Sequence, residues 1–335
     1  MRLLLCSLIA ATAVAQSWQP QQSGTKVALR GVSAVNGNVV WASGEKGTLL
    51  KTTDGGANWQ VTTMPGAADL DFRGIRAISE RQIYLLSSGP GEKSRVYKTS
   101  DGGGRWSLLF SNPEPKGFFD SIAFWDANHG IILGDPVKGR FVILITSDGG
   151  ASWRSQKGPP AANGEGAFAA SNTCLFVRGS REVWFATGGP GGARVFRSTD
   201  GGEIWTVTKT PIRNDSASAG IFSFAFAEGT HGVAVGGDYS KPGESTGNIA
   251  LTSDGGKTWS APSAQPPNGY RSTIQYLAER KMWIAVGTSG SDVSSDDGNT
   301  WRSFDTGAYN AMSFEPTGAG WAVGPQGAIA RFKIE

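Results

Sequence analysis

The sequence predicts an all-β fold, a seven-bladed β-propeller, on three observations. An eight-residue motif with Ser or Thr first, Asp third, Gly fifth and Trp eighth recurs six times. The tryptophans of successive copies lie 47, 47, 52, 54 and 42 residues apart, a period that belongs to repeat architectures. Glycine is abundant at 48 of 335 residues, tryptophan is high at 12, and no long helical periodicity competes with short β-rich runs.

The copies run over 52–59, 99–106, 146–153, 198–205, 252–259 and 294–301. Asp54, Asp101, Asp148, Asp200, Asp254 and Asp296 hold the third place, and Trp59, Trp106, Trp153, Trp205, Trp259 and Trp301 the eighth. β-Rich segments flank them, such as 47–51 before the first and Trp205-Thr206-Val207-Thr208 at the end of the fourth. The octet is therefore a hairpin turn. Its glycines accept positive φ, its carboxylate can take backbone N–H bonds, and its Trp offers an apolar face to anchor the turn while its indole N–H needs a partner. Copies at 252 and 294 match the Asp-box, S/T-x-D-x-G-x-T-W, at every position; elsewhere Asn58, Arg105, Ser152 and Ile204 replace the seventh Thr. An aspartate used once per turn at a fixed place is structural. Ser295-Asp296-Asp297-Gly298-Asn299 lacks the spaced ligands and closing Glu of a calcium loop.

Arg2 and the apolar run 3–15, ending Ala13-Val14-Ala15, read as a signal peptide over 1–15, cleaved after Ala15. A periplasmic or secreted protein is expected, with no transmembrane segment in the mature chain. Cys6 leaves with the leader, so Cys174 remains alone and no intramolecular disulfide can form. His129 and His231 each precede a turn glycine, and with one cysteine they cannot assemble a zinc cluster; no metal or cofactor is expected. Without Arg2, 30 basic residues face 28 acidic ones, a balance that argues against nucleic acid or an anionic membrane as partner.

Opening strands fall at 27–32, 72–75, 119–124, 173–177, 221–226, 272–277 and 310–314. Apolar, Gly-bearing second strands come next, as at 39–44, 130–134, 183–188, 233–237, 283–287 and 321–324. These make seven four-stranded units of about 45 residues, the blade size of a propeller, so 16–335 is read as one domain and a monomer. The seventh unit has a third strand at 327–332 but no octet after it. Ser17-Trp18-Gln19-Pro20 resembles the segments at the ends of the octets, such as Trp153-Arg154-Ser155-Gln156. The N-terminal strand is therefore expected to complete the last blade, removing two open sheet edges.

Within the units the pattern is apolar-Arg-Gly-apolar, a Trp- or Gly-bearing second strand, and then the octet. Leu29-Arg30-Gly31-Val32, Val40-Trp41-Ala42-Ser43-Gly44 and 47–59 show it once; Gly320-Trp321-Ala322-Val323-Gly324 repeats its middle. This resembles the photosystem II stability and assembly factor family of Asp-box propellers over essentially the whole mature chain. The resemblance implies a non-enzymatic scaffold whose partner is a protein, a membrane-protein precursor in phototrophic members, though it does not imply a photosynthetic host. More distantly the octets resemble those of sialidases, which implies a glycan partner and a glycoside hydrolase or other glycan-processing enzyme as the alternative. Where a sialidase has Phe/Tyr-Arg-Ile-Pro, however, this chain reads Leu29-Arg30-Gly31-Val32.

If the octets turn on one face, the loops between blades and between second and third strands share the other. That loop face carries uneven, polar and aromatic segments, and from them the candidate binding residues are Arg73, Asp120, Asp135, Glu165, Asp238, Tyr239, Tyr270 and Arg271. Asp120, Asp135, Glu165 and Asp238 are also the carboxylates available to the glycosidase alternative, which needs two flanking one bond.

Overall fold

A computed structural model describes residues 15–227 and 229–334; the expected leader lies outside them except for Ala15. Among the described residues the strands form seven antiparallel sheets arranged as the blades of a propeller. The inner strands, in chain order, are Leu29–Ala34, Phe72–Ala77, Phe119–Phe124, Leu175–Arg178, Ala219–Phe226, Thr273–Leu277 and Ala311–Phe314. Each blade then steps outward strand by strand. Among the described residues helix is confined to three single 3₁₀ turns, and no described helix is long and apolar enough to cross a membrane.

Six octets join the third and fourth places of their blades. In each, the first hydroxyl donates to the aspartate Oδ1, as from Thr52 to Asp54 at 2.7 Å and from Thr252 to Asp254 at 2.8 Å. The same hydroxyl accepts the N–H of the fifth residue, at 2.9 Å from Gly56 and 3.0 Å from Gly256. Asp Oδ1 also takes the N–H of the seventh residue, 2.9 Å for both Asn58 and Thr258. The variable seventh place is thereby explained. Thr258, Ser152 and Asn58 each donate a side-chain hydrogen to the second carboxylate oxygen, so hydroxyl and amide are interchangeable there. Of the tryptophans, Trp205 and Trp301 donate to the carbonyls of Gly202 and Gly298, and Trp59 to Gln21. The indole N–H groups of Trp153 and Trp259 find no partner among the described residues.

Blades are fastened to one another through these turns. Tyr84 of the second blade donates to Gly149 O in the third octet, and Trp184 of the fourth to Gly255 O in the fifth. Lys51 stacks over Trp41 and donates to Gly102 O of the next octet, as Lys98 does over Tyr84 to Gly149 O. Seven apolar clusters fill the seams between consecutive blades, the last joining Leu29 and Val40 of the first blade to Trp321 and Ile329 of the seventh. Among the described residues the ring is thus held by burial, with Cys174 a buried free thiol in the seam between the third and fourth blades.

The N-terminal strand closes the circle. Gln16–Pro20 pairs antiparallel with Ile329–Ile334, from Gln16 opposite Ile334 to Pro20 opposite Ala330. Trp18 packs within 5.2 Å of Phe332 and 5.6 Å of Tyr309, centroid to centroid, and donates to Ser291 Oγ of the sixth blade at 3.0 Å. The fifth blade departs from the expected four strands. Only a single bridge from Leu251 to Ser260 stands at its outer edge. Pro262, Pro266 and Pro267 come after that point, and without N–H groups they cannot extend a ladder.

Candidate functional site

The inner strands enter the ring from the loop face, and in four blades the register slips near their start. The slips fall between Leu29 and Gly31, Phe72 and Gly74, Phe119 and Ser121, and Ile221 and Ser223. A bulge frees a residue from the ladder and re-aims its side chain. The freed residues are Arg30, Arg73, Asp120 and Phe222, and all four line one cavity of about 490 Å³ at the loop-face mouth of the central channel. Ser272 and Asn310, just before the sixth and seventh inner strands, line it as well.

The fourth blade contributes differently. Its inner strand starts late, and the preceding segment 165–173 runs across the mouth, bonding to four other blades. Arg73 Nη1 donates to Ala169 O at 3.3 Å, and Ala167 N–H to Asp135 Oδ1 at 2.9 Å. Ser171 donates to Ser272 O at 2.8 Å, and Asn172 Oδ1 takes the Ile122 N–H, also at 2.8 Å. Thr173 donates to Ser223 Oγ at 2.8 Å. This crosspiece forms the floor of the cavity.

An aromatic wall stands on it. Phe168 and Phe222 stack at 3.9 Å with planes 6° apart, Tyr270 meets Phe222 edge-on at 4.8 Å, and Tyr239 closes the group 6.0 Å from Phe222. Tyr239 is 52% exposed, so the wall is open to a ligand from the loop face. Burial raises the Tyr270 phenol's pKa, leaving it neutral.

Opposite the wall the charges are incompletely matched. Arg73 Nε bonds Asp71 Oδ2 at 2.7 Å, while Asp71 Oδ1 has no partner. Arg30 Nε is also buried without one, and burial followed by the nearby Arg73 charge lowers the Arg30 pKa. Burial, reinforced by Asp135, raises Asp120 well above the usual carboxylate range, and its Oδ2 is unpartnered. Burial raises Asp135 too, against the Ala167 N–H bond. Unpaired buried polar groups are costly, and Arg30 and Asp120 bring two of them to the lining of one cavity, which marks it as the candidate site.

Of the eight residues expected on this face, the structure brings five together here: Arg73, Asp120, Asp135, Tyr239 and Tyr270. The other three serve internal contacts. Arg271 is fully buried, its Nε 2.7 Å from Asp292 Oδ2 and its Nη groups on Tyr270 O, Ser289 Oγ and Asn268 O. Glu165 accepts from Arg194, Thr187 and the Ala162 N–H. Asp238 caps its own turn, taking the Ser240 N–H at 2.9 Å and hydroxyls from Ser240 and Ser216. Arg30, Phe168 and Phe222 were not among the expected residues. Arg30 shares the Arg-Gly pair with Arg73, and that repeat at the bulge is the signal that identifies it. Phe168 sits in the unrepeated crosspiece, where no pattern announces it. The histidines do not reach the site: His129 closes a turn on Asp126, and His231 is exposed beside another turn.

Among solved structures, the chain is similar to YCF48 bound to a D1 peptide, with 18% identity and a TM-score of 0.67 over 94% of this chain and 96% of that one. YCF48 from Cyanidioschyzon merolae gives 17% identity and 0.66 over 94% and 98%. The WD40 propeller domain of Doa1 gives 12% and 0.61 over 95% and 97%. No protein-family model and no curated protein matches the chain. At such identities the likeness establishes the propeller fold.

Proposed function

We propose that the chain is an exported, non-catalytic propeller that captures a segment of a protein partner at the loop-face mouth and acts as an interaction or assembly scaffold. One observation carries the reading: Arg30 and Arg73 face the Phe168, Phe222 and Tyr239 wall across a single open cavity. Arginine and tyrosine are the side chains that most often anchor protein contacts, the fork for carbonyl or carboxylate and the ring for apolar surface. The similarity to YCF48, a photosystem II assembly factor seen with a D1 peptide, supports a polypeptide ligand, and the family resemblance of the octet repeat adds a membrane-protein precursor as its class. Export rests on the 1–15 leader; cleavage after Ala15 would leave Gln16, the first residue of the closing strand, as the mature terminus. The test immobilises the mature chain and passes envelope extract over it. Wild type should retain a protein that an Arg30→Gln, Arg73→Gln double variant releases. Equal retention by both would refute the mouth as the binding site.

A second reading, glycan hydrolysis, has one observation behind it: Asp120 and Asp135 face the same cavity with raised pKa values, as a proton donor requires. Asp120 is only 1% exposed, which keeps it from flanking a glycosidic oxygen and favours the scaffold. Turnover of an oligosaccharide that vanishes in Asp120→Asn would reverse that preference.

A further inference from the structure

Below the crosspiece the central channel continues toward the octet face as a second cavity of about 220 Å³. It is lined by residues three places further along the same inner strands: Ser33 beyond Arg30, Arg76 beyond Arg73, Gln275 beyond Ser272 and Ser313 beyond Asn310. Its lining holds one cation, Arg76, and no carboxylate.

The Arg76 side chain has no hydrogen bond, ion pair or aromatic face among the described residues. It is accessible from the channel, and the surrounding ring of strands lowers its pKa by desolvation. No neighbouring charge offsets that cost. By contrast, the enclosed Arg271 is matched by Asp292, and Arg194 by Glu165. A guanidinium that lines a channel without a counter-charge is free to take an anion.

The other polar groups around it have donors to spare. Ser33 Oγ accepts the Ala77 N–H at 3.1 Å, Ser313 Oγ the Ala34 N–H at 3.0 Å, and Gln275 Oε1 the Phe314 N–H at 2.9 Å. These bonds stitch neighbouring blades together and use one acceptor site on each of the three oxygens. The Ser33 and Ser313 hydroxyl hydrogens and the Gln275 amide hydrogens remain unused by the described residues. A planar five-donor fork, two hydroxyls and an amide, with no carboxylate present, form the donor set of an oxyanion site.

We propose that the octet-side channel binds a small oxyanion (phosphate, sulfate or a carboxylate) through Arg76, with Ser33, Ser313 and Gln275 as further donors. The site is separate from the mouth, so its test does not depend on partner capture. The whole mature chain is titrated by calorimetry with inorganic phosphate, sulfate and acetate, each against chloride at equal ionic strength. Wild type should bind at least one of the three saturably. Preference for phosphate and sulfate assigns a tetrahedral oxyanion, and preference for acetate a carboxylate. Arg76→Gln should weaken binding by about tenfold or more, the loss of a charge-assisted contact, and Arg76→Lys by less because the charge stays and only the fork is lost. Both variants should keep the wild-type melting temperature or exceed it in chloride; if Arg76→Gln misfolds, Arg76→Lys carries the comparison. The Arg30→Gln, Arg73→Gln variant should bind the anion as wild type does. No saturable binding by wild type, or equal binding by the Arg76 variants, would overturn the proposal.

Discussion

The octet turns and the crosspiece at the mouth are both built from short polar side chains bonded to backbone, and they teach opposite lessons. The octets repeat one geometry six times on the outer part of the ring, each bonding its aspartate carboxylate within its own turn. Their aspartates stay near water and accept several N–H and O–H bonds, which holds Asp54, Asp148 and Asp254 at about 2. The crosspiece occurs once, bonds to four other blades, and helps leave Asp120 buried, raised and half-partnered. A carboxylate that a turn fully satisfies belongs to the scaffold. One stripped of water with an oxygen left unbonded is not accounted for by the scaffold's own bonds.

This contrast can be tested first where the expected effect is largest. Arg271→Ala would leave Asp292 buried without its counter-charge and should cost about 3–5 kcal/mol in denaturant unfolding, whereas Arg73→Gln, which breaks a partly exposed pair, should cost about 1 kcal/mol or less. Similar costs for the two would mean that the internal and mouth-facing arginines are not physically distinct. Next in size, Thr252→Val removes three bonds from one octet and should cost about 1–2 kcal/mol, with Thr52→Val costing the same. A spread well beyond that would show the six turns to be unequal. The smallest effect is a change in pH slope. Asp120 binds its proton more tightly folded than unfolded, so stability is greatest below the unfolded value of about 4 and falls as pH rises toward the raised one. Asp120→Asn should therefore match wild type at pH 4 and melt higher at pH 7. The octet aspartates run the other way: their contribution is full above about pH 4 and is lost as pH falls through about 2, in both proteins. A wild type and Asp120→Asn pair that melt in parallel from pH 4 to 7 would remove the distinction.

Much of the fold was legible because it repeats. The octet spacing gives the blades, and the Trp18 segment gives the closure, since period and pattern survive variation at any one position. The fifth blade's missing outer strand was less visible, although its prolines supply the reason. At the mouth, legibility fell with repetition. Arg30 and Arg73 share an Arg-Gly pair, but only strand register shows that the pair marks a bulge facing one cavity. Residue type alone grouped Glu165, Asp238 and Arg271 with the site. Each instead answers an internal need, such as that of Asp292 for Arg271, which sequence spacing does not reveal.

The central claim is that a partner is held at the loop-face mouth and not on the octet face. It is tested most directly by placing a photo-crosslinking side chain at Tyr239 or at Ile204, the latter 73% exposed in the fourth octet, and irradiating envelope fractions. The account expects one dominant protein adduct from position 239, abolished by Arg30→Gln with Arg73→Gln, and none of that size from position 204. The same adduct from position 204, or one at 239 indifferent to both arginines, would contradict it.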